Sequence, residues 1–368
     1  MKIVADENIP GVQAYFGHVG ELVTKPGRML TREDLLDADI LLARSVTRVD
    51  RALLEGTRVR FVGSAVTGTD HLDKAWLDAA GIAWYAAEGC NKQAVVEYVL
   101  AVLAALNKMA VFPDRPLRAG VVGAGRVGRL VVETLTLLGF DVVVSDPLRA
   151  AKEPDFQHTP LNDFQHLDLV TLHVPLTHHG EAPTYHLIDK TFLQRQQKGC
   201  VLLNTSRGAV IDFEELAEYG QHLYWCLDVW EHEPQVDFNI LDLAAIATPH
   251  IAGYSLESKQ RGTQMVYVAA LARGVIPASK TPVMPPPWQV IRFDNATVDW
   301  ADAILKIYDP RVTTDVMKTA IVENGSDATF DLLRKQFLAR REFGSVQLRD
   351  LQVSEQDGKL LKALGLPL

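Results

Sequence analysis

Short apolar runs alternate along the chain with longer stretches of helical period, and the order of these blocks predicts two successive α/β units. Near the amino terminus, residues 2–5, 39–43 and 59–62 read as buried parallel strands joined by helices such as residues 73–80. The Ala-, Val- and Leu-rich run from residue 91 to about 109 is long enough for a helix that bridges two domains, and Pro113 and Pro116 end it. A second series follows, with a strand at 119–122, a glycine loop, a helix from 126 to 138, and strands at 141–144, 168–173, 200–203, 223–227 and 245–248. This is the order of a doubly wound dinucleotide fold. Residues 255–273 return to helical period and take the chain back to the first unit. Residues 281–287, four of them proline, then read as a stiff linker. Beyond it, 298–308 and 327–341 are amphipathic but carry no obvious catalytic constellation.

Composition narrows the field. The 368 residues are 48% hydrophobic, enough for two or three domains, and no apolar run approaches the roughly 18 to 20 residues of a membrane-spanning helix. The opening Met1-Lys-Ile-Val-Ala-Asp-Glu7 puts charge where a secretion signal needs an apolar region. Cys90, Cys200 and Cys226 form no close pair, which suits a reducing cytoplasm and implies no thiol metal site. A net charge of −9 argues against nucleic acid as a partner, while a few local arginines could still hold an anionic substrate.

The candidate cofactor site is Gly123-Ala-Gly-Arg-Val-Gly128, which follows a strand end and opens a helix. Gly123 permits the tight turn, Gly125 leaves room for a pyrophosphate, and Gly128 lets helix and sheet pack. Arg126 and Val127 lie between the glycines, at a helix amino terminus whose N–H groups and partial positive charge suit phosphate. Asp146 comes 18 residues after Gly128, at the end of the next strand. Its carboxylate would accept from both adenosine-ribose hydroxyls and repel a 2′-phosphate, so NAD is expected over NADP. Arg149 would weaken that preference if it turned inward.

Three charged residues downstream complete a reaction site on paper. Oxidising a secondary alcohol needs a base for the hydroxyl proton, and His250, in Thr248-Pro-His-Ile-Ala-Gly-Tyr254, has a side chain that ordinarily titrates at about 6.5. Glu233, in Asp228-Val-Trp-Glu-His-Glu-Pro234, can orient it and stabilise its cation. Arg207, in Asn204-Thr-Ser-Arg-Gly208, can grip a carboxylate by two points. Each alone has a plainer reading as a surface arginine, a helix cap or a core histidine.

Together with the glycine loop, these stretches resemble the D-isomer-specific 2-hydroxyacid dehydrogenases. The words Arg44-Ser-Val-Thr-Arg-Val49, Phe61-Val-Gly-Ser-Ala-Val-Thr-Gly-Thr-Asp-His71 and His250-Ile-Ala-Gly-Tyr-Ser-Leu-Glu257 point to one subfamily, and the resemblance covers residues 1 to about 273. It implies an NAD-binding Rossmann domain, 93–253, inserted in a flavodoxin-like substrate domain formed by 1–92 and 254–280. An α+β domain at 281–368 would make a homodimer. The resemblance also implies that Arg207 binds substrate, Glu233 supports the acid/base group and His250 exchanges the proton. It assigns NAD contacts to Asp146, to the loop around Val174, to Thr205, Ser206 and Arg207, and to Asp228 and Gly253. Val174 stands where relatives often have threonine, so only its backbone is expected to serve. Substrate contacts would be Ser45, the Val66-Thr67 turn and Tyr254, with Arg44 as an anion partner. Relatives carry a hydroxyl residue at the position of Val66, which makes Thr67 the stronger ligand.

The expected activity is NAD-dependent oxidation of a small phosphorylated 2-hydroxy acid at C2, in a cleft that closes on substrate. Two alternatives stay open. One is a related dehydrogenase acting on 3-phosphoglycerate or an unphosphorylated acid; the other is an NAD-sensing corepressor without turnover, against which the intact Arg, Glu and His set argues. Asp70-His71 and His178-His179 lack further ligands at metal-binding spacing and read as solvated loop histidines.

Overall fold

The structure is a computed structural model that describes residues 1–278, 282, 288–337 and 340–368. The expected linker at 281–287, apart from Pro282, lies outside the described residues. The chain divides into two compact units, Met1–Asn91 with Tyr254–Pro287 and Lys92–Gly253 with Trp288–Leu368.

In the first unit, five strands, β1 (Lys2–Asp6), β2 (Glu21–Lys25), β3 (Ile40–Ala43), β4 (Phe61–Ser64) and β5 (Ala83–Ala86), form one parallel sheet. Their order is β2-β1-β3-β4-β5, the flavodoxin-like arrangement. β2 and β5 escaped the hydrophobic pattern because they are the edges: β2 carries Glu21 and Lys25, and in β5 only Ala86 is buried. β3 and β4, covered on both faces, are buried throughout. The returning helix Leu256–Ala272 lies close on β4, where a side chain on Gly63 would come within 2.3 Å of a Val266 methyl.

The second unit holds β6 (Arg118–Val122), β7 (Asp141–Ser145), β8 (Leu169–Leu172), β9 (Val201–Asn204), β10 (Tyr224–Leu227) and β11 (Ile246–Ala247), all parallel in the order β11-β10-β9-β8-β6-β7. Direction reverses between β6 and β8, so a crevice opens at their carboxyl ends. The helix Lys92–Lys108 is buried at every position from Ala94 to Leu106. A helix apolar all round needs cover on all sides. Val99, Val102 and Leu106 pack with Val121, Leu169 and Val201 of the sheet, while Leu100, Ala101 and Ala104 pack with Ile291, Ile304 and Leu348 of the carboxy-terminal segment.

That segment contains a parallel pair, β12 (Gln289–Thr297) and β13 (Val346–Gln352), in which Ile291 faces Leu348, together with helices Trp300–Ile307, Pro310–Asn324, Asp327–Gln336 and Glu355–Ala363. Met317, Ile321 and Phe330 join the cluster that contains Trp230 and Leu241. Residues 288–368 therefore share their cores with the six-stranded unit.

Candidate active site

The glycine loop is set by close backbone approach. Gly123 turns with φ 87°, and a Cβ there would lie 2.6 Å from the His173 carbonyl oxygen and 2.7 Å from Val174 Cγ1. A Cβ on Gly128 would lie 1.9 Å from the Gly123 oxygen, so neither position admits a side chain. Gly125 differs, because nothing lies within 4 Å of where its Cβ would be. The bare backbone there fronts open space, just ahead of exposed Arg126 and half-buried Val127. Helix Gly128–Leu137 starts after Val127 with no side-chain cap, which leaves first-turn N–H groups for an anion.

Just beyond β7, the Asp146 carboxylate accepts from the N–H groups of Ala124 and Arg149, each at 2.9 Å, and caps helix Pro147–Ala150. Each oxygen keeps a second lone pair for a ribose hydroxyl. Arg149 pairs with Glu153 at 2.8 Å and lies 4.4 Å over the Phe156 ring, while one Nη donates to the Ala124 carbonyl at 3.3 Å. The Cβ-free backbone at Gly125, the uncapped helix and the carboxylate after β7 fit a dinucleotide.

The catalytic candidates sit on loops at the carboxyl ends of β9, β10 and β11. After β9, Asn204 Oδ1 accepts from the Ser206 N–H at 2.9 Å and its hydroxyl at 2.8 Å, while Asn204 Nδ2 donates to the Arg207 carbonyl at 2.9 Å. This fixes the turn Thr205–Ser206–Arg207. Gly208 follows because a Cβ there would lie 1.9 Å from the Trp230 carbonyl carbon, so the arginine loop rests on the backbone that leads to Glu233.

Asp228, at the end of β10, is 1% exposed. Its Oδ1 accepts from Thr248 Oγ1 at 2.6 Å and the Ile251 N–H at 2.7 Å, and Oδ2 accepts from the Ala252 N–H at 2.9 Å. Tyr98 Oη lies 2.6 Å from the same Thr248 hydroxyl. Burial pushes the Asp228 carboxyl up, against the pull of His250 and these donors. Both carboxylate oxygens thus hold the loop that carries His250.

His250 has φ 55°, a left-handed conformation uncommon for a side-chain-bearing residue, and its N–H donates to the Asp228 carbonyl at 2.7 Å. In that pose Nδ1 lies 2.7 Å from Glu233 Oε2, while Glu233 Oε1 accepts from the Trp230 N–H at 2.9 Å. Burial would raise the Glu233 carboxyl. The charge and hydrogen bond of His250, with the Trp230 N–H, outweigh it and hold Glu233 below its ordinary range.

Val174, after β8, is half-buried with a methyl against Gly123. Beside it, His173 Nε2 lies 2.9 Å from the Thr171 hydroxyl and Nδ1 lies 3.4 Å from the Thr205 hydroxyl. Burial pushes His173 down to about 3, so it is a neutral polar post. Gly253 directly follows the Ala252 peptide held by Asp228.

The substrate candidates belong to the first unit. Arg44 follows β3, and its Nε donates to the buried carboxylate of Asp6 at 2.9 Å, at the end of β1. Ser45 beside it is exposed. Both lie where the order reverses between β1 and β3. After β4 come half-buried Val66 and Thr67, whose hydroxyl bonds Asn91 Oδ1 at 2.8 Å. Tyr254 lies beneath Lys259 Nζ, 4.3 Å from its ring centroid.

His173, Asn204, Gly208 and Thr248 were not singled out in the sequence, although His173, Asn204 and Thr248, like Asp228, are polar residues that terminate apolar parallel runs. One expectation is corrected. His71 is not a solvated loop histidine: its Nε2 lies 3.0 Å from the buried Ser64 hydroxyl, and burial lowers it to about 4. His178 and His179 are exposed. Among the described residues, no group of three His, Cys, Asp or Glu side chains could hold a metal ion. Cys90, Cys200 and Cys226 are buried, and burial pushes Cys200 up to about 12.

Residues 107–252 match the family model "D-isomer specific 2-hydroxyacid dehydrogenase, NAD binding domain", and residues 284–365 match a domain of unknown function, DUF3410. The chain is 44% identical over 352 residues, 95% of each protein, to the erythronate-4-phosphate dehydrogenase of Coxiella burnetii. It is 43% identical over 376 residues, 99% of each, to that of Pseudomonas fluorescens. Its fold is similar to that of an NAD-bound 3-phosphoglycerate dehydrogenase of Entamoeba histolytica, with TM-score 0.62 and 23% identity over 74% of this chain and 96% of that one. It is likewise similar to a D-lactate dehydrogenase of Aquifex aeolicus, with TM-score 0.57 and 23% identity over the same shares.

Proposed function

Because this chain belongs to the erythronate-4-phosphate dehydrogenases, within the D-isomer-specific 2-hydroxyacid dehydrogenase family, we propose that it oxidises 4-phospho-D-erythronate at C2. The product would be (R)-3-hydroxy-2-oxo-4-phosphooxybutanoate, on the route to pyridoxal 5′-phosphate. The cofactor is NAD, which when bound supplies the two-electron acceptor. The observation that carries the reading is the 2.7 Å contact between His250 Nδ1 and Glu233 Oε2. It fixes the ring and leaves Nε2 to take the C2 hydroxyl proton, with the carboxylate stabilising the cation that forms.

Arg207, on a loop locked by Asn204 and Gly208, grips the substrate carboxylate and polarises the adjacent oxygen. From the first unit we assign Arg44, Ser45, Val66, Thr67 and Tyr254 to substrate, with Arg44 as the cation for an anionic group. Gly123, Gly125, Arg126, Val127, Gly128, Asp146, Val174, Thr205, Ser206, Arg207, Asp228 and Gly253 are assigned to NAD. Asp228 serves through the loop it holds, and Val174 through its backbone.

Initial rates of NADH formation from 4-phospho-D-erythronate, 3-phosphoglycerate, D-lactate and D-glycerate at equal concentration test this. The phosphorylated erythronate should lead D-lactate and D-glycerate by about two orders of magnitude or more, since a site built for a charged group rejects substrates that lack it, and should lead 3-phosphoglycerate, which keeps the phosphate on a chain one carbon shorter, by about tenfold or more. Preference for another acid would overturn the substrate while sparing the chemistry.

The carboxy-terminal domain, 281–368, is assigned to homodimerisation. Val312 (62% exposed), Val316 (51%) and Leu332 (48%) support this as apolar side chains on its outer helices. Light scattering on the full chain should give twice 40.7 kDa, and the single-chain mass would refute it. We further assign the protein to the cytoplasm, which three buried cysteines without a close pair in the sequence suit; among the described residues no helix is long and apolar enough to cross a membrane.

A further inference from the structure

A buried side chain of the carboxy-terminal segment reaches the catalytic loop. Arg340 is 7% exposed, and its Nη2 donates to the carbonyl oxygen of Ala252 at 3.0 Å and to that of Ala94, in the first turn of helix Lys92–Lys108. Ala252 lies between His250 and Gly253, and its N–H is already held by Asp228 Oδ2 at 2.9 Å. Charged groups thus grip this residue at both its N–H and its C=O. The guanidinium lies 5.4 Å from the Tyr308 ring centroid, and the chain just beyond it is tied to the same helix, where Glu97 Oε1 accepts from the Phe343 N–H at 3.0 Å. A guanidinium suits this task because it can serve two carbonyls at once through charge-assisted bonds.

We propose that Arg340 is a positioning residue for the reaction: it fixes the Ala252 peptide, and through it the pose of His250 and Gly253. The domain of unknown function then acts on the chemistry of its own chain, independently of any role in assembly. This rests on the reading of His250 as the acid/base group.

Arg340→Met and Arg340→Lys are compared with Leu361→Ala, which opens a cavity in the buried core of the same segment without removing the clamp. Turnover, NADH affinity by fluorescence, thermal midpoint and amide hydrogen exchange over residues 249–254 are measured on the full chain. Arg340→Met should lower kcat by about tenfold or more, weaken NADH binding and speed exchange at Ile251 and Ala252, because small misplacements of reacting groups are costly. Lysine should restore part of each. Leu361→Ala should lower the thermal midpoint as much or more while keeping kcat within about twofold.

Wild-type kcat and exchange in Arg340→Met would overturn the proposal. So would an equal loss of kcat in Leu361→Ala at the same folded fraction. Should the methionine variant fail to fold, the lysine variant decides: its ammonium keeps the charge and the donors on a shorter side chain that holds the two carbonyls less firmly, so it should show intermediate losses. If the wild type does not turn over 4-phospho-D-erythronate, the substrate reading fails, while exchange and NADH affinity still judge Arg340.

Discussion

His250 and His186 lie in the same unit and both meet carboxylates, yet they are arranged for different work. His250 has one partner, Glu233, on Nδ1, and Nε2 has no hydrogen-bond partner among the described residues. His186 has two: Nδ1 lies 2.9 Å from Asp212 Oδ2 and Nε2 lies 2.5 Å from Glu231 Oε1. Its ring stacks on Tyr185 at 3.9 Å, and its N–H donates to the Ala209 carbonyl. With both nitrogens taken, His186 cannot exchange a proton with substrate, and it ties the arginine loop to the strand of chain that leads to Glu233. The number of ring nitrogens left open separates the proposed acid/base histidine from a strut.

Removing the open histidine should have the largest effect. His250→Ala is expected to lower kcat by about three orders of magnitude, within the range for general acid–base catalysis, with NADH affinity by fluorescence nearly unchanged. Turnover within tenfold of wild type would erase the distinction. Next comes Glu233→Gln, which keeps the shape but not the charge, with an expected loss of about one to two orders of magnitude in kcat. Glu233 is held below its ordinary value of 4.5, with burial opposing and His250 prevailing. Its contribution to stability is therefore full above that value and lost as pH falls through the depressed one. Thermal midpoints from pH 7 down to 3 should fall more steeply for wild type than for Glu233→Gln.

His186→Asn should reverse the balance. Losing two bonds to carboxylates is expected to cost about 1 to 3 kcal/mol in denaturant unfolding, with kcat held within about threefold. A larger loss of turnover than of stability would make His186 more than a strut. The smallest effect on turnover is expected at Glu97, the carboxylate that sharpens the contrast with Glu233. Burial raises Glu97 to about 8, and its Oε2 has no hydrogen-bond partner among the described residues. The folded protein thus keeps a proton that the unfolded chain releases near 4.5, and wild-type stability should decline as pH rises from there to about 8. Glu97→Gln should flatten that decline and leave kcat unchanged. Parallel pH–stability curves for the two proteins would reject the assignment.

The sequence disclosed what is local. The glycine spacing, Asp146 after the next strand, and the contexts of Arg207, Glu233 and His250 are all short words with chemical meaning, and each lies at the carboxyl end of a strand, as expected. The alternation in Ile291-Arg-Phe293 and Val346-Gln-Leu348 is also local, but three residues apiece are too few to announce β12 and β13. The rest depends on contacts between distant residues. Nothing near His186 foretells Glu231, 45 residues on, and nothing near Ala94 foretells Arg340. His71 looked solvated because its neighbours in sequence are polar, whereas its surroundings in space are the end of β4. Gly208 was invisible because its requirement comes from the backbone of another loop.

Asp146 carries a consequence for anyone wishing to retune the enzyme's nucleotide. The same two oxygens that would repel a 2′-phosphate also cap helix Pro147–Ala150 and hold the Ala124 N–H inside the glycine loop. A swap to alanine, made to admit the phosphorylated dinucleotide, would also uncap that helix, at about 1 kcal/mol, and loosen the loop on which either dinucleotide depends. If Asp146 selects the nucleotide as proposed, selectivity and architecture meet at one carboxylate, and a change to asparagine or serine would drop the charge and keep an acceptor for the cap.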